Sequence, residues 1–284
     1  MSVSRVLDIP RLPRRSHDGH KGTYGKVFVV AGSRGMSGAA VLCGRAALRG
    51  GAGLVEVATA ADAQPVVAAA YPGYITHGFT PDADGAGAAI ELARAADAVA
   101  IGPGLGRADA TAAFVRRVLS ELTTTAVVLD ADGLFAVSPF RAEFGNRAKL
   151  VLTPHPGEFA RLTGEPAPKT DREREERAVA FAARFGGVLL LKGSATLVTD
   201  GARLYVNRTG NPGMATGGSG DVLTGVIAAL VGQGLGAFDA AVLGAWVHGR
   251  AGDLSAAVLG QTSLNATDLL DSLPAAFREL ESHW

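Results

Sequence analysis

The chain has 284 residues, of which 38 are Gly and 52 Ala, and it is 48% hydrophobic, 19% charged and 6% aromatic. That hydrophobicity with zero net charge excludes intrinsic disorder, and 13 Pro without a Gly-X-Y period exclude collagen. The 27 basic residues balance 27 acidic ones, so the excess typical of a nucleic-acid-binding protein is missing, and a single Cys excludes a disulfide framework or a Cys-rich zinc site.

The N-terminal segment MSVSRVLDIPRLPRR carries charges but no apolar signal-peptide core, and a cytoplasmic location without membrane contact is expected. Arg14, Arg15 and Lys21 could clamp a phosphate or form a solvated arm, and read rather as the arm. Lys26–Ala31 is apolar on both faces and β-branched, as in a buried parallel strand. Leu54–Ala58, Asp97–Ile101, Ala126–Leu129, Leu150–Thr153 and Val188–Lys192 repeat the pattern. Helical patterns lie between these runs, near 37–50, 84–95, 109–121, 156–163 and 171–185. Cys43, in the first of them, reads as a small buried hydrophobe.

In the 171–185 segment Thr170 and Glu173 form a potential capping box. Ala178, Phe181, Ala182 and Phe185 make one apolar face, and Gly186-Gly187 ends it. The DREREER run is then a solvated helix face. Thr196–Thr199 and Arg203–Asn207 flank Asp200-Gly201 as a hairpin. From Val222 to Val247 the chain is strongly apolar, but Gln233, Asp239 and three Gly interrupt it. This predicts two buried helices, near 219–231 and 236–254, instead of a membrane span. After Asn265 a short helix and a tail are expected. No repeat or composition break appears, so residues 1–284 read as one α/β domain.

Five segments carry candidate chemistry. Gly217-Gly218-Ser219-Gly220 runs into an apolar helix, whose unpaired N–H groups and positive dipole end form an anion site. Asp221 at its mouth either caps that helix or acts as a general base. Leu191-Lys192-Gly193-Ser194-Ala195-Thr196 follows a strand; it either holds a phosphate or ribose or is a polar strand exit. In Thr153-Pro154-His155-Pro156-Gly157-Glu158 two prolines stiffen a strand exit. There His155 and Glu158 either line a crevice or serve the turn. Gly102-Pro103-Gly104-Leu105-Gly106 permits close backbone approach but is not a dinucleotide fingerprint. Asp130 and Asp132 could hold Mg²⁺ through water, or cap and turn the chain. There is no Walker A sequence, since Gly25-Lys26 is followed by Val27, and no zinc-protease or serine-hydrolase motif.

Taken together, these segments closely resemble the ADP-dependent NAD(P)H-hydrate dehydratases of the ribokinase-like superfamily. The resemblance runs through His20–Val55, Ala100–Gly106, Val127–Leu134, Leu152–Glu158, Leu189–Val198, GNPGMATGGSGDVLTG and the helix with Trp246, His248, Gly249 and Gly252. Ser219 stands where the family often has Thr. The resemblance implies a ribokinase-like three-layer α/β/α sandwich with a mostly parallel central sheet. It implies dehydration of the S epimer of the 6-hydroxy hydrates NADHX and NADPHX back to NADH and NADPH. ADP would be the co-substrate, Mg²⁺ the cofactor, and AMP and phosphate the by-products. By motif, the hydrate would meet Ala40, Gly106, His155 and Asp221, with Asp221 catalytic. The adenine nucleotide would meet Lys192, Gly193, Ser194, Ala195, Thr196 and Gly220. Gly218, Ser219 and Gly220 would form the anion hole, and Asn211 would support the start of that loop. A homotetramer is expected, together with a separate epimerase that interconverts the hydrate epimers. The alternative is a thiazole or pyrimidine alcohol kinase of the same superfamily.

Overall fold

A computed structural model describes residues 3–141 and 149–281. Its strands are β1 (Ser4–Val6), β2 (Lys26–Val30), β3 (Leu54–Ala60), β4 (Ile75–Phe79), β5 (Ala98–Ile101), β6 (Ala126–Leu129), β7 (Leu150–Leu152), β8 (Val188–Leu191), β9 (Leu197–Thr199) and β10 (Arg203–Val206). They form one sheet in the order β1-β10-β9-β8-β7-β6-β5-β2-β3-β4. Every pairing is parallel except the two made by β9, which turns back between β8 and β10.

The helices are α1 (Ser37–Arg49), α2 (Gln64–Ala70), α3 (Ala83–Arg94), α4 (Asp109–Glu121), α5 (Asp132–Ala136), α6 (Pro156–Thr163), α7 (Asp171–Phe185), α8 (Ser219–Gly232), α9 (Ala237–Leu259) and α10 (Ala266–Glu281). They cover both faces, and the strand alternation shows how. Val27, Val29, Val57, Ala98, Ala100, Val128 and Val151 point into one core, with residues of α1, α8, α9 and α10. Phe28, Val30, Val99, Ile101, Leu129 and Leu152 point into the other, with residues of α3, α4, α5, α6 and α7. This is the three-layer α/β/α arrangement.

The two faces differ in side-chain size. Small residues on the first let helices approach closely. Gly225 of α8 lies against α1, where a Cβ would run into the Cys43 carbonyl and come within 2.8 Å of the Ala46 Cβ. Cys43 is fully buried, as expected of a small hydrophobe. Burial, and then the nearby Asp221 and Asp130 carboxylates, push its thiol well above the usual range.

Several details differ from the sequence reading. β1 is three mostly exposed residues held by pairing to β10, and β4 interrupts its pattern with His77 and Gly78. Neither has the periodicity of a half-buried strand. α10 is long because Leu269, Leu270, Leu273 and Ala276 bury in the core, and Pro274 is carried inside it; residues 282–284 of the expected tail lie outside the described residues. Half of the capping box at α7 forms: Thr170 accepts from the Glu173 amide at 3.1 Å, while the Glu173 carboxylate accepts from Lys169 N at 2.8 Å. Arg15 is no free arm. It lies 4.1 Å over the Tyr24 ring and donates to the Gly51 carbonyl at 2.5 Å. Among the described residues, no helix is long and apolar enough to cross a membrane.

The close packing of α8 makes a testable contrast. Gly225→Ala is expected to destabilise the fold by about 2–3 kcal/mol through overpacking. Gly87→Ala in α3 has open space around the new methyl and is expected to stabilise it by about 0.5–1 kcal/mol. Denaturant unfolding of both variants checks the pair.

Candidate active site

The parallel strands deliver their C-terminal ends to one edge of the sheet, where α8 also begins. In open α/β sheets this edge faces the ligand crevice. Gly218 opens α8 in the left-handed region, φ 88°, and no side chain caps the helix. Its first amides therefore have no side-chain acceptor, and Ser219 N reaches the Thr216 carbonyl at 3.4 Å. Asp221 sits in the first turn and is not the N-cap residue, which removes the capping role as its explanation.

Asp130 leaves β6 directly beneath this helix start. It is 1% exposed. One carboxylate oxygen accepts from Lys192 Nζ at 2.7 Å, the other from the Thr224 hydroxyl at 2.9 Å. The Lys192 ammonium reaches the helix start: a Cβ on Gly220 would lie 3.1 Å from it. Burial alone would lower the Lys192 pKa, but Asp130, Glu158 and Asp221 together raise it, so the ammonium is held charged.

Asp221 has the opposite balance. Burial, then the Asp130 carboxylate, raise its pKa to about 7; Lys192 pulls it down, and Asp132 adds a further rise. A carboxylate tuned close to neutral pH is matched to moving a proton.

Asp132 accepts from the Gly106 amide at 2.9 Å and from Arg107 Nε at 2.9 Å. The Asp130-Ala131-Asp132 pair thus ties two strand exits together and does not present a joint metal cradle. The 102–106 segment is braced further: Gly32 N donates to Pro103 O at 2.8 Å, and the Ser33 hydroxyl to Gly104 O at 2.8 Å. Ala40 lies under this brace with no exposed surface, its Cβ 2.8 Å from where a Cβ on Gly32 would be.

A cavity of about 610 Å³ opens on the other side of the helix start. Its walls include His155, Lys192, Gly193, Ser194, Thr196 and Gly220. Ala195 is not on the wall; its carbonyl turns to Arg174. Ala40, Gly106, Gly218 and Asp221 lie off this wall, so His155 is grouped with the Lys192 segment instead of with the other three residues expected to meet the hydrate. His155 caps α6: its Nδ1 accepts from the Gly157 amide at 3.0 Å, and Glu158 accepts in return from the His155 amide at 2.9 Å. The imidazole thus serves the turn and faces the cavity at once.

Sequence reasoning names Asn211 and His248 on the far wall but misses Asp253, Asn207 and the contacts that tie this wall together. Asp253 of α9 accepts from Gly210 N at 3.0 Å and from Asn211 Nδ2 at 3.1 Å, fixing the start of the glycine-rich loop. Asn211 also accepts from Gly213 N at 3.0 Å, which gives it the expected supporting place. Asn207 donates to the Ala245 carbonyl at 3.1 Å. His248 is 8% exposed and stands 2.9 Å from the Ser219 carbonyl. Burial pushes its pKa down to about 4, so at neutral pH a neutral imidazole donates through Nε2 to the first turn of α8. These partners lie 29 to 43 residues apart along the chain, and no local pattern marks them.

The sequence pattern of the NAD(P)H-hydrate dehydratase family matches residues 27–275. The chain is 47% identical over 280 residues to a bifunctional NAD(P)H-hydrate repair enzyme of Moorella thermoacetica, covering 95% of this chain and 52% of that one. It thus spans about half the length of this and similar bifunctional relatives. It is 42% identical over 248 residues to the ADP-dependent (S)-NAD(P)H-hydrate dehydratase of Neisseria meningitidis serogroup B, covering 84% of this chain and 80% of that one. The fold superposes on the ADP/ATP-dependent NAD(P)H-hydrate dehydratase of Bacillus subtilis, crystallised with ATP and Mg²⁺, with a TM-score of 0.82, 32% identity and 95% of each chain covered. The three-layer sandwich is therefore the ribokinase-like one, and the chain belongs to the NAD(P)H-hydrate dehydratase family.

Proposed function

We propose that this chain, acting as one domain, dehydrates the S epimer of NADHX and NADPHX to NADH and NADPH, consuming ADP and releasing AMP and phosphate. The observation that carries the reading is Asp221: a carboxylate with a pKa near 7, in the first turn of a helix whose N-terminus is uncapped by any side chain. Beside it lies a cavity within the size range of small-molecule sites. The names of the Neisseria and Bacillus relatives support the choice of nucleotide and substrate.

Hydroxide is a poor leaving group, so the hydrate must first be phosphorylated. Asp221 takes the proton of the 6-hydroxyl, the oxygen attacks the terminal phosphorus of ADP, and the P–O bond to AMP breaks. The amides of Gly218, Ser219 and Gly220, with the Lys192 ammonium, stabilise charge on the transferring phosphoryl. Phosphate then leaves C6 with the C–O electron pair, driven by the ring nitrogen, and C5 loses a proton. The raised pKa brings Asp221 closer to an effective base, and positioning carries the remainder. Ala40, Gly106 and His155 join Asp221 on the hydrate; Lys192–Thr196 and Gly220 receive the adenine nucleotide. Since Ala40 is fully buried, its part is to support the loop above it.

Mg²⁺ on the nucleotide phosphates would neutralise their charge. The donors fit a phosphate-borne ion: the Asp130 and Asp132 oxygens are taken by protein partners. Among the described residues no three His, Cys, Asp or Glu side chains converge on a metal position. An epimerase activity that replenishes the S epimer, and a homotetramer, complete the proposal. The bifunctional relatives support the first; Val66 and Ile75, exposed beside the open edge at β4, support the second.

Incubation of the protein with NADHX and ADP is expected to restore the absorbance of reduced nicotinamide and to release AMP. No recovery with ADP or ATP sinks the reading, and accumulation of a stable phosphorylated alcohol from a thiazole or pyrimidine substrate favours the kinase. Asp221→Asn is expected to bind ADP normally and to lose turnover by about 10³-fold or more; near-normal rates remove Asp221 as base.

The raised pKa also fixes two pH effects. As a base, Asp221 works deprotonated, so kcat/KM is expected to rise with pH and level off above about pH 7. For stability, the unfolded carboxyl loses its proton near its ordinary value of 3.8 and the folded one near 7. Between these the folded state binds more protons, so wild-type stability falls as pH rises through that window. Asp221→Asn lacks this loss. Its advantage in thermal stability is expected to grow between about pH 4 and 7, to an order of 1–4 kcal/mol, and then to stay constant. Melting curves of both proteins across this range check the sign.

A further inference from the structure

Two arginines of the DREREER run behave differently in the fold. Arg172 conforms to a solvated helix face: its side chain is 88% exposed and pairs with Glu176. Arg174, two residues on, is only 12% exposed. It folds inward from α7 under the loop that follows β8.

One nitrogen, Arg174 Nη2, lies 3.3 Å from the Leu191 carbonyl, 3.4 Å from that of Lys192 and 3.2 Å from that of Ala195. Three carbonyl oxygens turned toward one point repel each other unless a cation stands there. The loop is shaped to admit it: a Cβ on Gly193 would lie 2.5 Å from the same nitrogen. The arrangement is costly. Burial lowers the Arg174 pKa despite Asp171 and Glu175, and among the described residues its Nε is buried without a hydrogen-bond partner. A helix-surface Arg with only a solubility role would not accept that desolvation.

The loop so held is the Lys192–Thr196 segment. Its other restraints lie at the ends: Lys192 N donates to Pro154 O at 2.8 Å, and Asn207 N to Thr196 O at 2.8 Å. Within the loop, the Thr196 hydroxyl donates to Gly193 O at 3.0 Å. Arg174 joins both halves of the loop from α7, and it does not itself line the cavity.

We propose that Arg174 is a positioning residue for the nucleotide, holding the Lys192–Thr196 loop in its phosphate-receiving shape without touching the ligand. The proposal rests on the assignment of ADP to this cavity. Ordering a loop in advance improves affinity by removing the cost of ordering it on binding.

The test measures ADP binding by calorimetry without hydrate, and steady-state kinetics with it, for wild type, Arg174→Ala, Arg174→Lys and Arg172→Ala. Arg174→Ala is expected to raise the Kd and KM for ADP about tenfold. Its kcat at saturating ADP should stay within about threefold, and its KM for the hydrate unchanged. Added guanidinium at low millimolar concentration should recover part of the ADP affinity. Arg174→Lys should fall between, because an ammonium is a point charge without the planar fork. Arg172→Ala should match wild type.

An ADP Kd within about twofold of wild type in Arg174→Ala overturns the proposal. So does a loss spread equally over kcat and both KM values with no guanidinium recovery, which marks a general structural defect. If the Ala variant does not fold, Arg174→Lys decides: a raised ADP Kd supports the role and an unchanged one overturns it. Wild-type protein that binds ADP but leaves the hydrate untouched defeats the proposed reaction and not the role of Arg174. Wild-type protein that binds no ADP defeats both.

Discussion

Asp130 holds the site together from below. A buried carboxylate costs several kcal/mol unless it is paired and hydrogen-bonded, and this one is 1% exposed. It meets that requirement by drawing the Lys192 ammonium from β8 and the Thr224 hydroxyl from α8 onto its two oxygens. Two strand ends and a helix are fixed to one another by a single side chain. Burial and then this same negative charge raise the Asp221 pKa, while the charge keeps Lys192 protonated against burial. One buried ion thus acts on a base and on a cation at once.

The architecture makes room for that arrangement by using small residues where helices must come close. α8 reaches the strand ends because it packs tightly on α1 and the sheet, at Gly225 and against Ala46. Buried Ala is more frequent in the core of this layer, whereas the opposite layer is filled by Phe28, Ile101, Leu129, Phe159 and Phe181. One core brings backbones together; the other fills volume.

Much of this was legible before any coordinates. Strands apolar on both faces, such as β2 and β5, announce a covered parallel sheet, and the glycine-rich run before Asp221 announces a helix start that can receive an anion. What the sequence hid are features made by tertiary pairing. β1 has no pattern of its own and exists because β10 lies beside it. Arg174 sits in a charge run that reads as a solvated face, and only the loop above it explains its inward turn. Asp130 and Asp132 read either as a water-mediated Mg²⁺ pair or as a cap and turn. Their partners Lys192 and Gly106 lie 62 and 26 residues away, at distances along the chain that no local spacing rule covers.

The reversal at β9 has a consequence for how this protein can vary. The other central strands leave the sheet toward helices, and connections of that kind tolerate added length. β8 does not; it turns straight back, and Leu191 pairs with Leu197 across the turn. Residues 192–196 are therefore a span whose length is set by sheet register. A residue inserted there must be absorbed by the turn, because a slip of β9 by one position would exchange the faces of Leu197 and Val198, which are buried in opposite cores. The segment is thus held at both ends by paired strands, and inside by the Lys192 ammonium on Asp130 and the Arg174 nitrogen beneath Gly193.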